Sequence, residues 1–443
     1  MKFVKNPNAG GFNFKNYIKE ESLGGIILIF VTIVAIVWAN SRFYESYHFI
    51  WHDLEFGLSL GNWELRETLH YWINDGLMAL FFFTVGLEIK REVMAGELST
   101  MKKASLPIMA AVGGMVIPAV FFVIVNINSP EYMNGWGIPM ATDIAFALGI
   151  LSLLGDKVNI NLKIFLTALA IADDLGAILI IAIFYTDSIN FAELINAAIF
   201  LSVLIIANQL GVRRTAFYAI VGLVGVWMSF IYSGVHATIA GVLIAFTIPV
   251  NPKITETTYI DRINQFIKKF EKEKPNNSAL LTGKQSHLLS KIEKLSIQAH
   301  TPLQKMEYAM HPLTAFLILP LFALANAGVH IEGDFFSMLF HPISIGIIFG
   351  LVLGKFLGIS LFSRLAVWLK LATLPEGLSW RQIYGVGLLA GIGFTMSIFI
   401  SGLAFSSEEY VQISKVGILA ASVIAAVLGL LLLKTEYRKS DKK

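Results

Sequence analysis

The chain of 443 residues contains no cysteine, so disulfide bonds are excluded and cysteine usage gives no indication of the redox compartment. Charged residues are also few: Asp, Glu, Lys and Arg make up 15% of the chain, whereas soluble globular proteins average about 25%. The nucleotide-binding run G-x-x-x-x-G-K-[ST] is absent, which argues against a primary pump. Apolar residues, by contrast, make up 56% of the chain.

The apolar residues form about twelve runs, each roughly 20 residues long. An α-helix needs about this length to cross a hydrocarbon core about 30 Å thick. The sequence therefore predicts an all-α polytopic membrane protein with about 12 transmembrane helices. The first run is too long for the core of a signal peptide, so we expect it to be a retained span. The runs lie near 23–39, 72–89, 105–126, 135–154, 162–185, 192–210, 215–231, 234–249, 308–327, 343–362, 383–405 and 412–433.

Lysine and arginine collect in alternate loops, and such loops face the cytoplasm in membrane proteins. Basic residues flank the stretch 215–249 at both ends, which requires an even number of crossings, and Ser233-Gly234 interrupts it. We therefore predict two short spans there and place both chain termini in the cytoplasm. The basic loops contain Lys90, Arg91, Lys102 and Lys103; Lys157 and Lys163; Arg213 and Arg214; and Arg364, Lys370 and Arg381.

The pattern of runs and charges divides the chain into segments. An amphipathic helix on the membrane surface is predicted in the long inner loop, where apolar residues repeat at helical spacing among lysines, with a solvated linker as the alternative. These apolar residues are Ile260, Ile263, Phe266, Ile267 and Phe270, and the stretch 274–286 should be flexible. The segments are a cytoplasmic N-terminal part at 1–22, helices 1–8 at 23–249, the cytoplasmic loop at 250–305, helices 9–12 at 306–433 and a cytoplasmic tail at 434–443.

The first outer, periplasmic loop contains a predicted small β-hairpin at about 51–67. Alternating apolar residues precede the dipeptide Gly61-Asn62, which is typical of a two-residue turn. The edges of such a hairpin can pair with another copy of the chain. An ordinary structured loop is the alternative. The alternating residues are Leu54, Phe56, Leu58 and Leu60.

Two neighbouring acids, Asp173 and Asp174, interrupt the apolar run 162–185, although an acid at the centre of a membrane helix costs about 2.5–3.5 kcal/mol. Because like charges repel and burial disfavours ionisation, the pair should hold at least one proton tightly and titrate as a unit. Carboxylate oxygens also bind hard cations. We therefore predict that a cation and protons compete for these acids. The alternative is that one of them is only a structural partner.

A break is predicted in the helix of the run 135–154. Gly137 and Pro139 lie just before Thr142 and Asp143, and a break at membrane depth exposes helix ends that carry partial charges. Asp143 is suited to neutralise N-terminal ends, and Thr142 offers a hydroxyl oxygen. If Pro139 lies near the outer surface instead, no break is needed.

The run 383–405 is rich in small residues near its middle. They permit an unwound segment that crosses the break in the run 135–154, and close helix packing is the alternative explanation. These residues are Gly391, Gly393, Thr395 and Ser397.

Lys355 lies near the middle of the run 343–362, too deep for its ammonium group to reach the interface easily. A buried lysine needs an acidic partner or loses its proton. Asp143 and Asp173 are the candidate partners, and a purely structural salt bridge is the alternative. Three acids and one lysine at similar depth on three spans form the candidate ion-binding site.

Seven stretches of the sequence can be compared with known families: GLEIKRE (86–92), MATDIAFALGIL (140–151), ALAIADDLGAI (168–178), SGVHATIAGV (233–242), HPLTAFLILPLFALANAGV (311–329), GLVLGKFLGISLF (350–362) and GIGFTMSIFISGLAF (391–405). They resemble the NhaA family of bacterial sodium/proton antiporters, and the resemblance runs from the first span to the last. It implies inverted repeats and two discontinuous helices that cross at mid-membrane, which are known features of that family. The inner loop at 250–305 departs from the family's compact form by its length, so the pH set point does not carry over.

The resemblance also implies roles for individual residues. Asp174 would be the principal Na⁺ ligand with Asp173 beside it, and Thr142 would lie next to them. Asp143 and Lys355 would compensate the charges of the helix ends. The hairpin would be a dimer contact. The residues that the family associates with pH response are Glu88, Glu92, His236, Glu307 and His311, and a solvated interfacial position is the alternative for all of these except Glu88.

The resemblance and the buried charges together predict a secondary active antiporter that exports Na⁺, and also Li⁺, in exchange for protons across the bacterial inner membrane. It should be electrogenic and pH-regulated, form a homodimer, and need neither a cofactor nor nucleic acid. The alternatives are an intramembrane aspartyl protease that uses Asp143 and Asp174, a sodium-coupled solute symporter and a passive cation channel. The protease is disfavoured because the sequence has no G-x-G-D run.

Overall fold

The computed structural model describes residues 14–60, 63–155, 158–186, 189–273, 280–330 and 335–440. This part of the chain is largely helical, with one two-stranded sheet, and several of its long helices pass through a π-helical turn without ending. In chain order the helices are Phe14–Ala39, Tyr44–His48, Phe49–Asp53, Leu69–Ala95, Met101–Val125, Pro130–Met140, Ile144–Ser152, Ile160–Phe184, Phe191–Gln209, Thr215–Ser233, Ala237–Thr247, Glu256–Lys272, Gly283–Ala299, Pro302–Asn326, Phe335–Leu339, Pro342–Trp368, Trp380–Leu389, Phe394–Ala404 and Glu408–Ser440.

Eight helices among the described residues are long and apolar enough to cross a membrane, and two bent helix pairs raise the number to ten. Two shorter apolar helices, Leu23–Ala39 and Ala237–Thr247, coincide with the first and eighth predicted spans. The prediction of a polytopic α-helical membrane protein is confirmed. The count of twelve crossings and the inverted repeats stay predictions.

The stretch 215–249 forms two helices, Thr215–Ser233 and Ala237–Thr247, at the positions inferred from its flanking charges. Gly234 ends the first helix with φ of 79°, a left-handed conformation in which a Cβ atom would be strained. The hydroxyl of Ser233 then accepts a hydrogen bond of 3.1 Å from the backbone N–H of Val235. The predicted interruption at these residues is therefore a helix C-terminus.

Two helix pairs are bent at a short break, and each pair together is long and apolar enough to cross a membrane; we name them the first and the second broken span. In the first broken span, the 3₁₀-helix Pro130–Met140 and the helix Ile144–Ser152 meet at 51°. In the second broken span, the helices Trp380–Leu389 and Phe394–Ala404 meet at 47°. The first break falls just after Pro139 and not at it, because the tighter 3₁₀ turns accommodate this proline and the backbone becomes extended only at the next residues.

The two strands Glu55–Leu60 and Trp63–Thr68 pair in antiparallel fashion where the hairpin was predicted. In their register the first residue of one strand lies opposite the last of the other, and Leu60 opposes Trp63. The predicted turn at Gly61-Asn62 lies outside the described residues. Whether the hairpin contacts a second copy stays a prediction.

The inner loop contains two helices, Glu256–Lys272 and Gly283–Ala299, that pack against each other. The first holds the predicted apolar repeat, although none of its residues is buried. The second begins at a capping box in which the side chains of Thr282 and Gln285 bond to each other's backbone N–H. Residues 283–286, which we expected to be flexible, therefore belong to a helix, and 274–279 lie outside the described residues.

Close backbone contact joins the helices Met101–Val125 and Pro342–Trp368. A Cβ atom added to Gly354 would lie 2.7 Å from Cα of Pro118, and one added to Gly358 would overlap the carbonyl oxygen of Gly113. Because these obstacles are backbone atoms, they cannot rotate away. The contact fixes the depth of Lys355, which lies between the two glycines on the same helix.

We predict that Gly358→Ala lowers the free energy of unfolding by about 1–3 kcal/mol, since the added methyl group forces two helix backbones apart. The control is Gly402→Ala, also within a helix but with no atom within 4 Å of the added Cβ, which should be neutral or slightly stabilising. Thermal unfolding of the purified protein in detergent measures both changes. Equal unfolding temperatures for the two variants would contradict the predicted contact.

Candidate ion-binding site

Five polar side chains from three spans meet at mid-bundle and form the ion-site cluster: Thr142, Asp143, Asp173, Asp174 and Lys355. The first two lie in the break of the first broken span, the aspartate pair lies on the helix Ile160–Phe184, and the lysine lies on Pro342–Trp368. Each has a relative exposure of 2% or less. The polar and ionisable residues that were singled out in the sequence for their depth are thus in one place, away from solvent.

Asp143 caps the N-termini of two different helices. Its Oδ1 accepts a hydrogen bond of 2.9 Å from the backbone N–H of Phe146, in the first turn of Ile144–Ser152. Its Oδ2 accepts bonds of 3.1 Å from the backbone N–H and 2.5 Å from the hydroxyl of Thr395, in the first turn of Phe394–Ala404. One carboxylate therefore serves the unpaired N–H groups and positive helix ends of both broken spans.

Further hydrogen bonds cross between the two broken spans. The backbone N–H of Asp143 donates to the carbonyl of Ile392 at 2.7 Å, and the hydroxyl of Ser397 donates to the carbonyl of Ile138 at 2.8 Å. The hydroxyl oxygen of Thr142 lies 2.9 Å from the carbonyl of Ala390, just past the C-terminus of Trp380–Leu389. The backbone groups freed by each break are thus satisfied largely by the other span.

The buried ammonium group of Lys355 pairs with Asp173. Its Nζ contacts Oδ2 of Asp173 and donates a hydrogen bond of 2.9 Å to the hydroxyl oxygen of Thr142. Oδ2 of Asp173 also lies 2.7 Å from that hydroxyl, which makes a compact triangle of polar atoms. Of the two partners expected for the lysine, the structure selects Asp173, because Asp143 is occupied by the helix N-termini.

Asp174 is placed differently from its neighbour. Its side chain is buried, and its Oδ1 has no hydrogen-bond partner among the described residues. It lines a small cavity together with Thr142 and Asp143. Because the side chain of Asp174 lines this cavity and its Oδ1 lacks a donor, the carboxylate remains available to a proton or to a cation.

The same cavity reaches two residues that were expected to be linked to pH response. Glu88 from the helix Leu69–Ala95 and His311 from the helix Pro302–Asn326 both line it, and both are buried. They lie toward the ends of their helices that carry the basic residues of the predicted cytoplasmic side. Asp174 therefore shares a cavity with an acid and a histidine that lie toward the predicted cytoplasmic side.

Glu92 and Glu307 are joined by Arg91. The guanidinium Nη1 of Arg91 lies 2.9 Å from Oε1 of Glu92, and its Nε donates a bond of 2.7 Å to Oε1 of Glu307. Oε2 of Glu92 accepts a further bond of 2.8 Å from the backbone N–H of Glu97. This network ties the second span to the start of the helix that contains His311.

His236 lies apart from these residues, in the break between Thr215–Ser233 and Ala237–Thr247. Its Nε2 lies 2.6 Å from the carbonyl oxygen of Tyr185, directly after the helix that contains the aspartate pair. Its placement differs from that of the other four residues associated with pH response. It contacts the opposite end of the aspartate helix from the side where basic loops collect.

The contacts of Thr395 and Arg91 are not indicated by the sequence alone. Thr395 was noted only as a small residue, yet its position two residues after Gly393 is that of a helix first turn, where a hydroxyl can bond a capping acid. Arg91 was used only to orient the chain. The acids Glu88 and Glu92, which are close to Arg91 on the same helix, are the sequence feature that indicates an ion-pair network there.

Comparison with known proteins gives one consistent result. The family model described as Na⁺/H⁺ antiporter 1 matches residues 15–433. A protein named Na⁺/H⁺ antiporter NhaA from Oleidesulfovibrio alaskensis is 47% identical over 426 residues, which cover 96% of this chain and 94% of that protein. A protein named NhaA 1 from Psychromonas ingrahamii is 48% identical over 431 residues, and these cover 97% and 98%. NhaA from Helicobacter pylori is 45% identical over 435 residues, with 98% of each chain covered.

We predict that Asp143→Ala lowers the free energy of unfolding by about 1–3 kcal/mol for each backbone N–H that it leaves without an acceptor. Asp143→Asn keeps one carbonyl oxygen and should lose less. As a control, Asn190→Ala removes an N-cap that accepts from the backbone N–H of Ala192 at the exposed start of Phe191–Gln209 and should cost about 1 kcal/mol. Thermal unfolding in detergent tests the order of the three variants, and an Asp143→Ala protein as stable as the wild type would refute it.

Proposed function

Because this chain belongs to the Na⁺/H⁺ antiporter 1 family, we propose that Asp173 and Asp174 are the groups for which its Na⁺ and its protons compete. The chain is a Na⁺/H⁺ antiporter, as its full-length relatives are.

The observation that carries this proposal is the contrast between the two neighbouring carboxylates. Asp173 already has a cationic partner in Lys355, whereas Oδ1 of Asp174 has no hydrogen-bond partner among the described residues and its side chain lines a cavity. A buried carboxylate without a donor or a cation is costly, so it is stable either as the neutral acid or with a bound cation. These two states are the ones that an antiporter has to exchange.

The oxygens around Asp174 suit a small hard cation. Na⁺ would be held by the carboxylates of Asp174 and Asp173, with the hydroxyl of Thr142 beside them. Binding would draw Asp173 away from Lys355, because one oxygen of Asp173 cannot serve both cations equally. Protons arriving from outside would reverse the step by neutralising Asp174 and restoring the ion pair.

This exchange would move net charge. If one Na⁺ leaves for two protons that enter, one positive charge is carried inward per cycle, and the membrane voltage contributes to the driving force together with the pH gradient. We assign one proton to Asp174 and the other to Lys355, whose ammonium group is buried beside Asp173. In the alternative route, both protons leave the two aspartates.

The acids and histidine on the predicted cytoplasmic side would adjust the response to internal pH. Glu88 and His311 line the cavity of Asp174, so their charges act on the ion entering it. Glu92 and Glu307 both pair with Arg91 nearby. Protonating either acid would leave part of the positive charge of Arg91 without its negative partner. His236 would respond separately through its contact at the other end of the aspartate helix.

We also propose how the helices cross the membrane, which further ion is carried and how two copies pair. The eight long helices, the two broken spans and the two short apolar helices would make twelve crossings with both termini in the cytoplasm of a bacterium, in its inner membrane. The broken spans would be related by an inverted repeat. Li⁺ would be carried as well, and two copies would pair through the hairpin Glu55–Thr68.

An aspartyl protease is disfavoured by the contacts of Asp143. Both of its oxygens accept hydrogen bonds from helix N-termini, so this acid is engaged in holding the two broken spans together. The relatives are named as antiporters, and none of the described geometry requires a peptide substrate.

We predict that Asp174→Asn abolishes Na⁺-dependent proton movement, because a neutral amide neither releases a proton nor attracts Na⁺ with a charge. In the wild type, the apparent KM for Na⁺ should rise as pH falls, since protons occupy the same oxygens. Dequenching of a pH-sensitive dye in everted membrane vesicles, with Na⁺, Li⁺ or K⁺ added across a pH series, measures both. The proposal fails if Asp174→Asn exchanges Na⁺ with wild-type affinity.

We predict that Lys355→Arg and Lys355→Ala separate proton release from stability. Arginine keeps the charge beside Asp173 but does not release a proton, so Lys355→Arg should stay folded while its exchange loses its response to an imposed membrane potential. Lys355→Ala should lose that response and also unfold at a lower temperature, since it leaves Asp173 without its cation. Voltage-dependent exchange by Lys355→Arg would show that the lysine is only structural.

A further inference from the structure

The outer half of the first broken span has an unusual need for external support. Pro130–Met140 is a 3₁₀-helix of 11 residues, whereas such helices seldom run beyond about 4 residues because their hydrogen bonds have poorer geometry. This segment leads directly into Thr142 and Asp143. Any displacement along it is therefore passed to two members of the ion-site cluster.

Tyr185 supplies support from the aspartate helix. It follows the last residue of Ile160–Phe184, and its side chain is buried with 8% exposure. Its phenolic oxygen accepts a hydrogen bond of 3.2 Å from the backbone N–H of Gly137 and donates one of 2.7 Å to the carbonyl of Asn134. A single hydroxyl thus holds two backbone groups of the 3₁₀-helix.

Aromatic packing and a glycine make this contact specific. The ring of Trp136 stacks on that of Tyr185 at 6.5 Å and 21°, and it meets the ring of Phe184 edge-on at 5.2 Å. A Cβ atom added to Gly137 would lie 2.5 Å from the hydroxyl oxygen of Tyr185. Glycine at this position therefore lets the backbone reach the phenol.

The 3₁₀-helix and the break that follows it are consequently attached to the aspartate helix at two levels. One attachment is Thr142 to Asp173 within the ion-site cluster, and the other is Tyr185 to Gly137 and Asn134. Asp173 and Tyr185 are 12 residues apart in the chain, and the residues that they bond, Thr142 and Gly137, are five residues apart. Together with the bond from Ser397 to Ile138, these two attachments constrain the position and the tilt of the segment relative to the acids.

We propose that Tyr185 is a positioning residue for ion exchange. By holding Pro130–Met140 at its outer level, it keeps the hydroxyl of Thr142 in register with Asp173 and Asp174. It does not touch the transported ion. This inference rests on the proposed ion site at the aspartate pair.

The test is Tyr185→Phe in the full-length chain, in everted membrane vesicles. The variant keeps the ring and its packing but loses both hydrogen bonds. We expect the apparent KM for Na⁺ to rise by between about two-fold and ten-fold, as the loss of one or two net hydrogen bonds would produce if it fell on the bound state, while the maximal rate changes little. Thermal unfolding should shift by only a few degrees.

Tyr218→Phe is the matched control. Tyr218 is fully buried and donates its hydroxyl to a backbone carbonyl, that of Val212, at 3.0 Å, but it lies on Thr215–Ser233, away from the cluster. It should lose comparable stability with an unchanged KM for Na⁺. If Tyr185→Phe raises the KM no more than Tyr218→Phe does, the inference is wrong.

A second variant approaches the contact from its other side. Gly137→Ala places a methyl group against the phenol and should also raise the KM, and adding Tyr185→Phe should relieve part of this effect, because the clash with the hydroxyl disappears. Strictly additive effects on the KM would contradict the contact. Asp174→Asn, measured in parallel, separates the two levels: its retained Na⁺ affinity would remove the ion site itself, whereas its loss together with a silent Tyr185→Phe would remove only the positioning function.

Discussion

Inside a hydrocarbon core every backbone N–H and carbonyl group must find a partner within the protein, and two interrupted helices make this requirement severe at the centre of this molecule. The carboxylate of Asp143 meets much of it, because its two oxygens bond to the first turns of Ile144–Ser152 and Phe394–Ala404. Without an acid at this position, two positive helix ends and their unpaired N–H groups would face each other. The breaks, and the ion-site cluster built on them, therefore depend on this one side chain.

The breaks also explain how an ion site can exist at this depth. A continuous helix hides its backbone and presents only side chains, whereas a break turns the chain and brings short polar residues such as Thr142 against neighbouring helices. Lys355 then lies beside the polar triangle with Asp173, on a helix whose glycines allow a close approach to Met101–Val125. Asp174 remains open to the cavity. The site thus pairs one acid internally and leaves the other available.

Support for the site extends beyond the side chains that surround the ion. Pro130–Met140 is held after its last residue by Asp173 through Thr142, and at Asn134 and Gly137 by Tyr185. On the side of the basic loops, Arg91 joins the second span to the helix of His311. These contacts support the backbone around the site and place titratable groups on its predicted cytoplasmic side.

The sequence alone determined the class of fold and the depth of the charged residues, because both follow from local patterns: runs of apolar residues, the basic loops between them and the few charges inside them. It also placed the interruption at Gly234, since a glycine that ends a helix is a local feature. It did not decide between Asp143 and Asp173 as the partner of Lys355. Asp173 and Lys355 are 182 residues apart in the chain. It also did not single out Tyr185. Those choices depend on how the spans pack, because the atoms that meet come from distant segments whose distance and angle no local pattern encodes.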